Sequence, residues 1–184
     1  MEDINIDTDR LLIRNLNLSD VDDFYVYRSN PEIAIYQGFE VMTKEQSEVF
    51  IKTQLDKEFG KAGKWVQYGI ENKLTKKIIG DCAIRLSKDD ETIAEIGVTI
   101  SHLEQKKGYA KEVIAGILEF LFIKKNIRRV IEIVDEQNIA SINLFKSLGF
   151  RLEGHFIENV FFKEKWGNEF QYALLKREWE MKGF

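Results

Sequence analysis

Residues 92–134 constrain this 184-residue chain more than any other stretch. They open with Thr-Ile-Ala-Glu-Ile-Gly-Val-Thr-Ile (92–100), an apolar run of strand length. A polar break with two lysines and a glycine follows, and residues 105–110 read Gln-Lys-Lys-Gly-Tyr-Ala. Within 108–125, Val113, Ile114, Ile117, Leu118, Leu121 and Phe122 then recur at helical spacing. Arg-Arg-Val-Ile-Glu-Ile-Val-Asp (128–135) is strand-like again. Strand, helix and strand in that order form a crossover, so the two strands lie parallel in one sheet.

Upstream, residues 64–72, 78–86 and 92–100 carry strand patterns separated by short polar turns, an antiparallel meander. Residues 10–18 read as an opening strand. Ser19 is placed to cap a helix running through residue 29, with acids in its first turn. The single proline, Pro31, breaks that helix. Thr43 and Gln46 stand at capping-box spacing and start a helix predicted over 43–59, with Val49, Phe50, Thr53 and Leu55 on its partly apolar face. Residues 138–150 read as a short helix stopped by Gly149, and 151–162 and 168–179 as a final pair of strands. The fold class is α/β or α+β. One domain spanning 1–184 holds a mixed, mostly antiparallel sheet with helices on both faces.

Composition removes several function classes. The net charge is -4, so no basic face for nucleic acid or anionic lipid is expected. One cysteine, Cys82, excludes an intrachain disulfide and a cysteine-based zinc site. It lies in an apolar strand and reads as a buried hydrophobe. No clustered ligands point to a metal. The start is acidic and polar, unlike a signal peptide, and no apolar run approaches the ~20 residues that span a bilayer. A cytoplasmic protein is the expectation.

The 105–110 turn carries the first functional signal. A strand that enters a helix through a glycine turn directs several backbone N–H groups outward, and the helix dipole adds partial positive charge there. The result suits phosphate or pyrophosphate. Gly108 lets backbone come close, Ala110 does not obstruct it, and Lys106 and Lys107 reach outward. Neither a Walker loop nor the G-x-G-x-x-G fingerprint is present, which argues against NAD and FAD. On these residues alone, a helix start with solvated lysines is the alternative.

In its setting, Gln105-x-x-Gly108-x-Ala110, after a strand and opening a long helix, resembles the acetyl-CoA motif of the GNAT superfamily of N-acetyltransferases. Residues 134–150, VDEQNIASINLFKSLGF, resemble that family's next strand and helix. The tail KWGNEFQYALLKREW and the opening TDRLLIRNLNLSDVDDFYVYRSNPEI are similar to the branch that holds the ribosomal-protein N-terminal alanine and serine acetyltransferases. The stretch AEIGVTIS is also similar to spermidine acetyltransferases. The resemblance covers nearly the whole chain.

The resemblance implies the GNAT fold, in which the strand after the long helix splays away and the pantetheine arm lies in the gap. It implies a ternary complex in which an amine attacks acetyl-CoA directly. A backbone N–H of Val98, Thr99 or Ile100 would stabilise the oxyanion. Gln105, Lys106, Lys107, Gly108, Tyr109 and Ala110 would hold the pyrophosphate through main-chain N–H groups. Glu95, on the same strand, is the candidate proton acceptor, or else a surface residue or an ammonium ligand. Alternation puts Glu95, Gly97 and Thr99 on one face and Ile96, Val98 and Ile100 against a helix.

At the position where many relatives carry a proton-donating tyrosine, this chain has Phe145. Ser141, matching N-x-x-S with Asn138, is the candidate to assist the leaving thiolate. Asn138, Ser141 and Phe145 are thus expected beside the cosubstrate, although Asn138 is also a good N-cap. Asn143 is a weaker cosubstrate contact. His102 and His155 read as solvent or cosubstrate-edge residues, and Trp65, Trp166 and Trp179 as packing. Tyr36, Gln37, Gly38 and Phe39 lie in the loop that walls the acceptor site in relatives. The acceptor class stays open among protein N-termini, polyamines, aminoglycosides and other small amines. A non-catalytic acetyl-CoA-binding protein of the same fold is the alternative, and a homodimer through the last two strands is compatible with the sequence.

Overall fold

The computed structural model describes residues 4–182. In chain order the elements are β1 (Ile6–Asp7), β2 (Leu11–Asn15), a 3-10 turn (Leu18–Asp20), α1 (Val21–Arg28), α2 (Pro31–Ala34), α3 (Lys44–Lys52), β3 (Val66–Asn72), β4 (Ile78–Leu86), β5 (Ile93–Ile100), α4 (Tyr109–Glu119), a π turn (Phe120–Lys124), β6 (Arg129–Asp135), α5 (Ile139–Ser147), β7 (Arg151–Phe162), β8 (Lys165–Leu175) and α6 (Lys176–Lys182). The strands form one eight-stranded sheet in the order β1-β2-β3-β4-β5-β6-β8-β7. β5 and β6 are parallel, and the other neighbours are antiparallel. The mixed sheet, the meander and the crossover through the long helix are as the sequence predicts.

Helices cover both faces. On one, Val113, Ile114, Ile117 and Leu118 of α4 and Ile142, Phe145 and Leu148 around α5 pack on Tyr68, Cys82, Ile84, Ile96, Val130 and Tyr172. Burial of each such aliphatic or aromatic side chain is worth about 1.5–3 kcal/mol as an upper figure. On the other face, Val21, Phe24 and Tyr27 of α1 and Ile51 of α3 pack with Leu16 and Ile78. The Gly80 backbone lies so close to β5 that a Cβ there would sit 2.2 Å from the Thr99 carbonyl oxygen.

Several boundaries differ from the sequence reading, each for a local reason. Asn17, not Ser19, is the cap. Its Oδ1 accepts from the Ser19 N–H at 2.9 Å, while the Asp20 carboxylate accepts from the Asn17 N–H at 2.8 Å. This reciprocal box folds Leu18–Asp20 into a 3-10 turn and delays α1 to Val21. Pro31 opens a short helix instead of only ending one. It sits at the first position of α2, where no N–H is required, and Asn30 caps the Glu32 N–H at 2.9 Å. The Thr43–Gln46 box forms as expected, at 3.2 and 2.8 Å. α3 nevertheless stops at Lys52, where the Thr53 hydroxyl donates to the Phe50 carbonyl at 2.6 Å.

The long helix ends in a π turn that buries Phe120, Leu121 and Phe122. The final strand stops at Leu175, because the Glu178 carboxylate accepts the Leu175 N–H at 2.9 Å and opens α6, whose Trp179 packs on Phe122. The short β1 has no periodicity to announce it. Gly149 ends α5 with φ 83°, as expected. Among the described residues, no helix is long and apolar enough to cross a membrane.

Candidate active site

β5 and β6 stay together for only three register pairs, Ile93 with Arg129, Ala94 with Val130 and Glu95 with Ile131. β5 continues to Ile100 on β4, and β6 continues to Asp135 on β8, so the two strands diverge. The hydrogen-bond phase of β5 fixes what faces the gap. Ser101 donates to the Ile79 carbonyl and Ser87 to the Ile93 carbonyl, both at 2.8 Å. In an antiparallel ladder this set alternates, so residues 93, 95, 97, 99 and 101 aim their backbone groups at β4. Ile96, Val98 and Ile100 therefore turn theirs into the gap. Of the three amides expected to serve an oxyanion, Val98 and Ile100 face it. The Thr99 backbone belongs to β4, and its hydroxyl meets Gln37 Oε1 at 3.3 Å.

The chain leaves β5 through a tight loop. The Gln105 side-chain amide donates back to the Ile100 carbonyl at 3.1 Å, and Glu104 N–H to the Ser101 carbonyl at 2.8 Å. Lys106 and Gly108 adopt the left-handed conformation, with φ 63° and 82°. Gly108 is the N-cap residue of α4 and brings no side chain to cap it, so the first-turn amides of Tyr109 and Ala110 are left for another acceptor. Lys107 pairs with Glu104 at 2.8 Å, which leaves Lys106 as the loop's outward charge. His102, at the loop's start, has a buried Nδ1 without a partner.

Arg10, which the sequence reading passed over, is built into this loop from β2's approach. Its Nη1 donates to the Lys107 carbonyl at 3.0 Å and its Nε to Glu112 at 2.7 Å. Its guanidinium lies 4.5 Å from the Tyr109 ring centre, and a Cβ on Gly108 would be 3.5 Å from its Nη2. Glu112 also accepts from the Arg10 N–H at 2.8 Å and the Thr8 hydroxyl at 2.6 Å. Burial opposes ionisation of Glu112, but these hydrogen bonds outweigh it and hold the carboxyl below its ordinary pKa. Only a fold in which residue 10 reaches residue 112 could reveal the contact.

On the β6 side of the gap, the Asn138 side chain accepts from the Ser141 N–H at 3.1 Å and is the N-cap of α5. Ser141 lies half-buried in the first turn. Phe145, expected beside the cosubstrate, is 0% exposed and packs edge-on to Phe150 at 5.0 Å. The ring is part of the core and presents no surface to the gap. Glu95 faces Arg85 across the β4–β5 register and is ion-paired to it, and Arg85 lies over the Trp65 ring at 4.7 Å. His155 is exposed and contacts Glu136 at 2.9 Å.

Glu132 is the second residue missed. It is the first β6 residue beyond the parallel pairs, is 8% exposed, and its Oε2 has no partner. Burial, reinforced by the charge of Glu95, pushes its pKa well above the ordinary carboxylate value. A glutamate inside a β-rich run looks like an alternating surface residue, and the sequence carries no sign that it is enclosed.

On the opposite face Arg28 and Asp81 form a buried pair, Nη2 to Oδ1 at 2.7 Å. The Tyr27 hydroxyl donates to Asp81 at 2.7 Å, and Gln67 donates to the same carboxylate. Phe39 covers the guanidinium at 3.8 Å, and Met42 N–H donates to the Arg28 carbonyl at 3.1 Å. Thus the 35–42 loop is tied to the sheet beside Thr99. The β7–β8 hairpin reaches the same region, where Lys163 Nζ donates to the Ala34 carbonyl at 2.6 Å.

A diverging parallel pair that feeds a left-handed glycine turn with open amides is the frame in which the family resemblance can be tested. The family model described as "Acetyltransferase (GNAT) domain" matches residues 10–151. The chain belongs to the GNAT acetyltransferases.

The uncharacterized N-acetyltransferase YnaD of Bacillus subtilis (strain 168) is 30% identical over 176 residues, which is 96% of this chain and 99% of that protein. Spermidine N(1)-acetyltransferase of Escherichia coli (strain K12) is 26% identical over 86 residues, 47% of this chain and 46% of that enzyme. The crystal structure of a GNAT-family acetyltransferase from Bacillus anthracis superposes with a TM-score of 0.86 at 23% identity, over 95% of this chain and all of that one. This GNAT protein is an acyltransferase, and enzymes of the family draw their acetyl group from acetyl-CoA. Its residues fit that cosubstrate, with backbone donors free both in the strand gap and at the helix start. Among the described residues no group of three or more His, Cys, Asp or Glu is placed to hold a metal ion.

Proposed function

We propose that the protein transfers the acetyl group of acetyl-CoA to a primary amine, a protein N-terminus or a small amine, by direct attack in a ternary complex. The observation that carries this reading is the divergence of β5 and β6 after Glu95 and Ile131, just upstream of the Gly108 turn. A gap edged by unspent strand amides accepts an extended amide-bearing arm as a strand accepts its neighbour. The helix start beyond it accepts the pyrophosphate.

In this reading Gln105 to Ala110 hold the pyrophosphate, with Arg10 fixing the loop's shape. The Val98 or Ile100 N–H faces the developing oxyanion, a geometry that favours charge formed only during reaction. An ammonium cannot attack, so a proton acceptor is required, and Glu95 is the carboxylate on the strand that carries those amides. Ser141, at the start of α5, would hydrogen-bond the departing sulfur. The Arg28–Asp81 cluster and Phe39 fix the loop that would wall the acceptor. The similarity of the opening and closing segments to the ribosomal-protein branch, and of one half to a spermidine acetyltransferase, keeps peptide and polyamine amines as the first acceptors to try.

Calorimetry with acetyl-CoA tests the reading, on the wild type and on Gly108→Glu, which puts a negative side chain on a left-handed residue at the anion site. Binding in the wild type that the variant loses supports it, and an amine screen then finds the acceptor. A folded wild type that binds no acetyl-CoA overturns it. Phe145 favours a second reading, cosubstrate binding without transfer; acetyl-CoA binding with no turnover on any amine class would establish that instead.

A further inference from the structure

The enclosed carboxyl of Glu132 is the one strongly perturbed acid that the roles above leave unused. Its place in the fold is specific. Glu95 and Ile131 make the last parallel pair, so Glu132 stands at the point where β5 and β6 part. Alternation along β6 puts it on the same face as Val130 and Val134, and its antiparallel neighbour on β8 is Tyr172. That face is the one covered by α4 and α5, where Phe145 is packed. Glu132 therefore shares a face with the ring that stands where many relatives have a proton-donating tyrosine.

An ionised carboxylate without a partner is costly in such a place, because nothing there replaces its water. Tyr172 from β8 shares the face of Glu132, while Glu95, in register with Ile131, lies on the opposite face of the sheet and acts on the carboxyl only by repelling a second negative charge. α4 and α5 offer apolar side chains, among them Val113, Ile117, Ile142 and Phe145. No cation is among these neighbours. Burial without a partner for Oε2 favours the protonated carboxyl, and a protonated carboxyl is a proton donor.

We propose that the Glu132 carboxyl donates the proton that the leaving thiolate takes, in place of the tyrosine that this chain lacks at Phe145. The assignment rests on the transferase reading above. As the amine nitrogen bonds to the acetyl carbon, the carbon–sulfur bond breaks and its electron pair stays on sulfur. The Glu132 proton passes to that sulfur and leaves a carboxylate. The acceptor enters as an ammonium and loses two protons: one leaves through the proton acceptor to solvent, and the other is matched by the proton that Glu132 regains from solvent before the next turnover. The carboxylate so formed is strongly disfavoured where it stands, which drives its reprotonation.

Glu132→Gln tests this with two readouts that do not depend on turnover. The difference infrared spectrum of the free wild type against the variant should show the carbonyl band of a protonated carboxyl, and calorimetry should show acetyl-CoA affinity within about twofold. Turnover should fall about a hundredfold or more. The alkaline limb of the kcat profile, where a required acid deprotonates, should disappear in Glu132→Gln and persist in Ser141→Ala and Tyr172→Phe. A packing role would lower kcat and leave that limb in place, which overturns the proposal. So does wild-type turnover in a folded Glu132→Gln, loss of the acidic limb instead, or absence of the carbonyl band in the wild type. The band and the pH profile of the wild type decide the matter even if the variant does not fold. Absence of acetyl-CoA binding by the wild type is a separate result and sinks the transferase reading itself.

Discussion

Arg10 holds the backbone of Lys107: its Nη1 donates to the Lys107 carbonyl at 3.0 Å, from nearly a hundred residues away in the chain. The same side chain is anchored to Glu112, so the N-terminal segment, the Gln105–Gly108 turn and the first turn of α4 form one unit. Arg10→Ala should weaken acetyl-CoA binding about tenfold through loss of a charge-assisted contact and of loop order. Arg10→Lys should recover only part of it, because an ammonium cannot reproduce the planar fork. Calorimetry on both variants measures this; unchanged affinity would show that the loop holds its shape without Arg10.

The same unit has a pH signature. The Glu112 carboxyl lies below its ordinary pKa in the folded protein, so its contribution is complete above the unfolded value. It is lost as pH falls through the lowered folded value. Acid unfolding should accordingly begin at higher pH in Glu112→Gln than in the wild type, as read by circular dichroism along an acid titration.

Asp81 is fully buried and accepts hydrogen bonds from Arg28, Tyr27 and Gln67. Asp81→Ala leaves the Arg28 guanidinium enclosed without its counter-charge. Breaking one partner of a buried pair typically costs about 3–5 kcal/mol. Thermal unfolding should show a loss of that order. Because Phe39 and Met42 rest on Arg28, the amine KM should rise more than the acetyl-CoA Kd. A variant with wild-type melting would mean that the pair is neutral to stability.

Cys82 is fully buried, and burial together with the Asp81 charge pushes its thiol well above the ordinary value. It should resist thiol reagents in the native protein and react stoichiometrically in denaturant. Prompt native-state labelling would show that β4 opens far below global unfolding.

The parts of this molecule that were legible in the sequence are those whose signal is local. The Thr43–Gln46 box, the glycine stop at residue 149 and the amphipathic run from Val113 to Phe122 each fit within a few turns of chain. The glycine turn that leads β5 into α4 was legible for the same reason. The missed features are relations across the fold. Glu112 gains its meaning from Thr8 and Arg10, and Glu132 from the point where two strands part. Phe145, read as a site residue from its place in a motif, is fully buried against Phe150, a placement the motif does not announce. Ser19 lost the cap to Asn17 because Asp20 could answer Asn17 in return, a two-way contact that single-residue preferences do not rank.

Glu95 offers the sharpest division between a chemical and a structural part. It sits on β5 two residues before Gly97 and three before Val98, whose amide faces the gap, and it is held by Arg85. If it takes the proton of the incoming ammonium, Glu95→Gln should lower turnover about a hundredfold or more. Acetyl-CoA affinity should stay within about twofold, since the cosubstrate loop begins beyond Ile100. Arg85→Ala should affect turnover less, because the carboxylate survives and loses only its tether. The reverse order, with Arg85→Ala the worse variant and Glu95→Gln active, would mean that the pair serves to join β4 and β5. The proton acceptor would then have to be sought among the waters and side chains around Thr99 and Gln37. Steady-state kinetics over an amine series, beside calorimetry on the same preparations, separates the two cases.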